Sequence, residues 1–174
     1  MDKATIDNLT LEVKKEAIEG GYDLAFITEG SSMFPILASE NKITVTKCNF
    51  KELKPGDLIL FKSPTDNGSL VAHRLIRKIK NENDHTFISK GDAVFNPDKP
   101  ICQDALIGKI VKIKKRGLSI PLEGAIGRVI NGIALVFSMG RITYFGFLFL
   151  RKIRYLIKIY SQKIRNTTLD TEAI

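Results

Sequence analysis

The sequence has no tryptophan, two cysteines, two histidines and three methionines in 174 residues. Cys48 and Cys102 stand far apart, without the C-x-x-C or C-x-x-H spacing of metal and haem sites. That excludes a zinc-ribbon reading, and the residues call for no metal and no cofactor. Two such thiols are expected to be reduced and half-buried. Imidazole chemistry has only two addresses, His73 and His85. Long apolar runs are also missing where an export signal would need one. Asp2, Asp7, Glu12, Lys14, Lys15, Glu16 and Glu19 interrupt Met1–Gly21, so no secretory signal peptide is expected. Near the other end, residues 129–140 are shorter than the ~20 apolar residues that a spanning helix requires. Residues 129–150 are long enough but carry Arg141 near the middle. Facing lipid, that charge would cost on the order of 2.5–3.5 kcal/mol.

What is present is a chain that can bury a real core, with 44% hydrophobic and 26% charged residues. The net charge of +8 is unevenly placed: residues 1–120 hold 19 Lys/Arg against 16 Asp/Glu, and residues 121–174 hold 8 against 3. In residues 151–165, Ile153, Leu156, Ile157, Ile159, Tyr160 and Ile164 alternate with Arg151, Lys152, Arg154, Lys158, Lys163 and Arg165. This is the pattern of a basic amphipathic helix lying on an anionic membrane surface. A helical hairpin packed on its own domain or on a partner would carry the same apolar residues.

Three segments follow from texture. Residues 1–24 contain a short amphipathic helix over 5–19, with Ile6, Leu9, Val13 and Ile18 near helical spacing and Gly20-Gly21 as its stop. Residues 25–120 break into short β-branched or alternating runs divided by Gly, Pro and Asn: DLAFIT, KITVTKC, DLILFKS, LVAHRLIRKIK, HTFIS and ALIGKIVKIKKRG. The expected fold class is mainly β, a twisted antiparallel sheet with a short N-terminal helix. Residues 121–174 form a hydrophobic and basic helical tail.

The chemistry concentrates in three places. EGSSMFPIL (29–37) puts two hydroxyls and a methionine on a Gly/Pro-punctuated turn after a strand. An ordinary turn would explain Gly30, Ser31 and Pro35; a nucleophile on a stiff loop would explain the rest, given a base. LVAHRLI sets His73 in an apolar strand, whereas His85 lies in the polar stretch NENDHTF and is expected to be solvated. ISKGDAVFNPDKPI (88–101) ends a strand at Lys-Gly-Asp and brings a second carboxylate six residues later. Ser, His and Asp on three loops can form a triad, which geometry and not chain order defines.

These residues resemble the type I signal peptidase family. GSSMFP is similar to its G-x-S-M-x-P box, KPGDLILFKS to the strand that follows, and AHRLI to the box holding the general base. SKGDAVFNPD resembles the G-D-x₅-D box, and ALIGKIVKI the closing strand. The likeness runs over about residues 25–116, in the family's order. Bacterial housekeeping signal peptidases and LexA-type repressors place Lys at the base position; His73 makes this chain resemble the Ser/His/Asp subgroup of the endoplasmic reticulum and archaea. The resemblance implies a signal-peptidase/LexA-like β catalytic domain with Ser32 as nucleophile and His73 as general base and acid. It makes either Asp98 or Asp92 the partner of His73, with Asp98 favoured and Asp92 shaping the turn. Gly30 and Ser31 would supply backbone N–H groups to an oxyanion hole, and Met33 and Pro35 would belong to the substrate-binding box.

The chain departs from that pattern in three ways: a polar segment 1–24 where the family has a membrane anchor, ASENKI after the serine box, and Ala93 where Asn is usual. The expected activity is a serine endopeptidase that removes a signal or leader peptide from a precursor at a membrane surface, its catalytic domain cytoplasmic. A LexA-like autoproteolytic regulator is a second reading, though no helix-turn-helix is visible before residue 25 and no nucleic acid is expected as partner. A non-catalytic membrane-associated module is a third.

Overall fold

The computed structural model describes residues 12–65, 68–80, 85–140, 145–146 and 148–155. Residues 12–19 form helix α1, whose Ile18 is fully buried in the core while Val13 stays exposed. The helix stops as a Schellman turn. Tyr22 N–H donates to Ala17 O (3.0 Å), Gly21 N–H donates to Ile18 O (2.9 Å), and Gly21 takes the left-handed conformation (φ 93°) that its lack of a side chain permits. The expected start at residue 5 falls outside the described residues.

Eight strands follow: β1 (Leu24–Ile27), β2 (Lys42–Thr46), β3 (Leu58–Lys62), β4 (Leu70–Lys80), β5 (His85–Lys90), β6 (Ile101–Cys102), β7 (Leu106–Lys115) and β8 (Leu118–Pro121). They make one antiparallel, half-barrel sheet in the order β1-β2-β7-β3-β4-β5-β6, with β8 added to the far half of β7. Strands β1 to β5 and β7 lie where the β-branched runs predict them. The two that the sequence did not announce are β6, with two residues, and β8, which ends at Pro121.

Strand β3 explains why the sheet has two cores. Leu58 and Leu60 point into one cluster with Met33, Ile43, Val45, Ile110 and Ile113; Ile59 and Phe61 point into another with Phe50, Leu75 and Phe87. Both faces are covered, so LILF shows no polar alternation, as expected for a strand buried on both sides. His85 opens β5 half-buried against Phe50, with ring centroids 5.8 Å apart. It is therefore not the solvated turn residue that its polar neighbours suggest.

Helix α2 (Gly124–Met139) follows the sheet and inverts the usual amphipathic logic. Its buried face consists of Gly127, Asn131, Ala134 and Ser138, while Ile126, Val129, Ile133, Val136, Phe137 and Met139 are exposed. Residues 148–155 are again helical, and Phe149, Ile153 and Tyr155 are exposed there. The remainder of the basic run, 156–165, lies outside the described residues. No helix among the described residues is long and apolar enough to cross a membrane.

Candidate active site

Ser32 sits on a loop, residues 28–41, that is pinned at its neck. Thr28 N–H donates to Asn41 O (2.9 Å) and Glu40 N–H donates back to Thr28 O (2.8 Å). The Thr28 hydroxyl donates to Ala38 O (2.6 Å), and Asn41 Oδ1 accepts the Ala38 N–H (3.1 Å). Within the loop, Gly30 has φ 83°, Phe34 N–H donates to Ser31 O and Leu37 N–H to Met33 O. Turn residues that bond their own backbone give a stiff platform. Ser32 is half-buried on it, whereas Ser31 points to solvent.

His73 is held by the β4 ladder, paired with Ile59 of β3. It is 8% exposed, with the Phe61 ring packed edge-on at 6.2 Å between centroids. Its Nε2 lies 3.2 Å from Ser32 Oγ and its Nδ1 2.7 Å from Asp98 Oδ2. A carboxylate at Nδ1 fixes the proton there, leaving Nε2 to accept from the serine hydroxyl. Asp98 is set in turn: its N–H donates to Ser89 O (2.8 Å), and the Ser89 hydroxyl, fully buried, donates to Asp98 Oδ2 (2.7 Å). The order Ser32–His73–Asp98–Ser89 is thus one continuous hydrogen-bonded line.

Asp92 does something else. It is 1% exposed and forms a two-pronged ion pair with Arg74, Nε to Oδ1 at 2.8 Å and Nη2 to Oδ2 at 2.7 Å. Arg74 is fully buried and also donates to Gly56 O (2.7 Å). Of the two carboxylates that the sequence offered to His73, the structure puts Asp98 on the imidazole and Asp92 on the guanidinium. The reason is strand alternation, which sends His73 and Arg74 to opposite faces of β4.

The turn between them carries the closest packing of the site. Ala93 N–H donates to Ser32 O (2.8 Å), and Asp92 N–H approaches Met33 Sδ (3.4 Å). Met33, 3% exposed, is thus a buried bolt between the two loops. A Cβ on Gly91 would fall 2.7 Å from Ser32 O, 2.8 Å from Val94 Cγ2 and 3.1 Å from His73 Nε2. Only glycine fits there.

The three catalytic candidates open into a cleft of about 800 Å³. Phe26, Ile27, Leu37, Leu60, Val71 and Ala72 give it apolar walls, and Ser63, Thr65 and Ser69 a hydroxyl rim. Gly30 and Met33 line it as well. Ser31 and Pro35 do not; Pro35 is exposed and its carbonyl accepts from Lys115 Nζ (3.1 Å). Strand β1 ends the sheet on one side of the cleft. On the other, β5 pairs with β4 only from Arg74 onward, so Leu70–His73 keep an edge without a strand partner among the described residues.

Among the described residues no group of three His, Cys, Asp or Glu side chains converges as a metal site. Both cysteines are free thiols, Cys102 exposed and Cys48 half-buried. Burial pushes the Cys48 thiol up to about 11, with Asp57 and Glu52 adding to the rise and Lys109 opposing it. Sequence reasoning missed Arg74, Ser89 and Gly91 as parts of the site. Arg74 follows His73 in β4 and so takes the opposite face, Gly91 precedes Asp92 in the turn, and Ser89 lies nine residues before its partner Asp98, so no local pattern in the sequence marked their contacts. No family model matches the chain, and no curated protein matches its sequence.

Proposed function

We propose that the chain is a serine endopeptidase of the signal-peptidase-like type, on a LexA-like β scaffold, cleaving a signal or leader peptide from a precursor. What supports the reading is the line from Ser32 through His73 to Asp98, opening into a peptide-sized cleft. An extended peptide would add as a strand between the free edges of β1 and Leu70–His73, with alternate side chains directed into the apolar wall. Ser32 Oγ attacks the scissile carbonyl carbon while His73 Nε2 takes the hydroxyl proton, and Asp98 stabilises the imidazolium at Nδ1. Backbone N–H groups of the Gly30–Ser32 turn stabilise the oxyanion. His73 then protonates the leaving amine, and water, deprotonated by His73, hydrolyses the acyl-enzyme. In this reading Asp92 orders the turn and does not touch the reacting atoms.

The proposed partner besides the precursor is an anionic membrane surface. The exposed apolar side of α2, Phe149 and Ile153, with Arg128, Arg151, Lys152 and Arg154 exposed beside them, suits an in-plane helix on acidic headgroups. Basic residues there place the domain on the cytoplasmic leaflet in this account, each contributing about 1 kcal/mol.

The test is a mixture of synthetic decapeptides digested by the purified protein, with new termini read by mass spectrometry. Cleavage after small apolar residues by the wild type and none by Ser32→Ala supports the proposal. Cleavage restricted to the chain itself favours the autoproteolytic regulator, and a folded wild type without any cleavage favours the non-catalytic module. Sedimentation with vesicles tests the membrane: binding to phosphatidylglycerol mixtures, weakened by salt, is expected. Equal binding to neutral phosphatidylcholine would contradict it.

A further inference from the structure

Strands β4 and β5 divide the site into two sides. Arg74 and Lys90 are cross-strand partners and share a face. His73 and Ser89, one residue earlier in each strand, take the opposite face and belong to the hydrogen-bonded line of the triad. Two buried cations therefore stand directly behind the catalytic candidates, and both reach α2.

Lys90 is 4% exposed, and its ammonium donates to Ser138 O (2.9 Å), Ser138 Oγ (3.1 Å) and Gly91 O (3.2 Å). Ser138 is fully buried and lies in the last turn of α2, where the helix dipole presents its negative end to a cation. Arg74 Nη1 reaches Asn131 Oδ1 (3.4 Å), and Asn131 Nδ2 donates to Leu122 O (3.3 Å), which ties the helix to the chain before it. Burying an ammonium costs several kcal/mol unless its protons are satisfied. An apolar residue would fill the space under α2 more cheaply, so the polar contacts specify position. Both cations hold the same short turn. Lys90 grips Gly91 O and Arg74 grips the Asp92 carboxylate, while the turn itself grips Ser32 through Ala93 N–H.

We infer that α2 is a positioning element of the site: Ser138 and Asn131 fix Lys90 and Arg74, and the turn 91–93 passes that placement to Ser32 and so to its distance from His73. The inference rests on the serine-hydrolase reading, but its test does not. The chain has two histidines, so ¹⁵N-histidine labelling yields two imidazole spectra, with His85 as internal control. In full-length Ser138→Ala the His73 ring signals are expected to shift while those of His85 stay in place. Ser138→Thr, which keeps the hydroxyl, should restore the wild-type spectrum.

For the peptide found by the digest, kcat should fall about tenfold or more with KM within twofold, since displacements well under 1 Å degrade catalysis. Lys90→Met should do the same, and if it fails to fold, Ser138→Ala, which removes only the Oγ contact and leaves those to Ser138 O and Gly91 O, still decides. An unmoved His73 spectrum in folded Ser138→Ala overturns the inference whatever the turnover, as do equal shifts at both histidines. A wild type that cleaves nothing overturns the hydrolase reading alone.

Discussion

Gly91→Ala is the smallest change that loads the candidate site directly. The added methyl would lie 2.7 Å from Ser32 O, 0.7 Å inside the 3.4 Å at which ordinary contact begins, and 3.1 Å from His73 Nε2. Ser32 O is held by Ala93 N–H and Met33 is buried beneath the turn, so neither loop has slack to yield. Overpacking of this size costs about 1–3 kcal/mol, and each kcal/mol lowers Tm by roughly 2–4 °C in a chain of this length. The larger effect is on geometry: parting Ser32 from His73 by a few tenths of an ångström lengthens a 3.2 Å contact past useful hydrogen bonding. Turnover should drop by about 10- to 100-fold with KM little changed. The assay is steady-state cleavage of the library-derived peptide at 15 °C, well below any lowered Tm, with calorimetry on the same samples. Gly132→Ala is the control, because nothing lies within 4 Å of its added Cβ and the site is mid-helix. It should leave turnover intact and stabilise by up to about 1 kcal/mol. Wild-type turnover in Gly91→Ala would refute the argument that this turn sets the nucleophile.

The two aspartates should separate cleanly. Asp98→Asn is expected to lower kcat by about 10³- to 10⁴-fold with Tm little changed, as the amide disfavours the productive tautomer. Asp92→Asn should instead lower stability by about 3–5 kcal/mol by leaving buried Arg74 without its counter-charge, read by denaturant unfolding. Ser31→Ala should keep activity within a few-fold, because that side chain is exposed and outside the cleft; a dead Ser31→Ala would mean the wrong serine has been assigned. With Cys48 raised to about 11 from 9.0, its thiolate is about a hundredfold scarcer at neutral pH than for an ordinary thiol. Iodoacetamide at pH 7.5 should therefore label Cys102 first and reach Cys48 only as pH rises toward 11, followed by peptide mass mapping. Equal labelling would contradict the burial of Cys48.

The sequence made some of this legible and hid the rest for identifiable reasons. Strands bounded by Gly, Pro and Asn could be located because turn chemistry is local, and the three segments with Ser32, His73 and Asp98 could be picked out because hydroxyl, imidazole and carboxylate stood in unusual settings. Strand β3 hid its orientation, since LILF is apolar on both faces. Which carboxylate meets His73 depends on strand parity together with the path of the turn 91–93, and neither is encoded locally. Helix α2 was harder still. Its apolar residues read equally as a membrane-facing side or as the seam of a packed hairpin, and the residues that pack on the sheet are Gly127, Asn131, Ala134 and Ser138, because the surface below offers cations and a crowded backbone. A Cβ at Gly127 would sit 2.1 Å from Leu122 C, so that close approach itself demands glycine.

The central claim is that Ser32, His73 and Asp98 act as one unit. It is tested most directly by measuring peptide cleavage for Ser32→Ala, His73→Ala, the Ser32/His73 double alanine variant and the triple variant with Asp98→Ala. Groups that serve a single proton transfer lose their function together. The account predicts that Ser32→Ala and His73→Ala each fall to the same residual rate, and that the double and triple variants fall no further. Losses that add in free energy from one variant to the next, or measurable turnover in Ser32→Ala close to wild type, would contradict it.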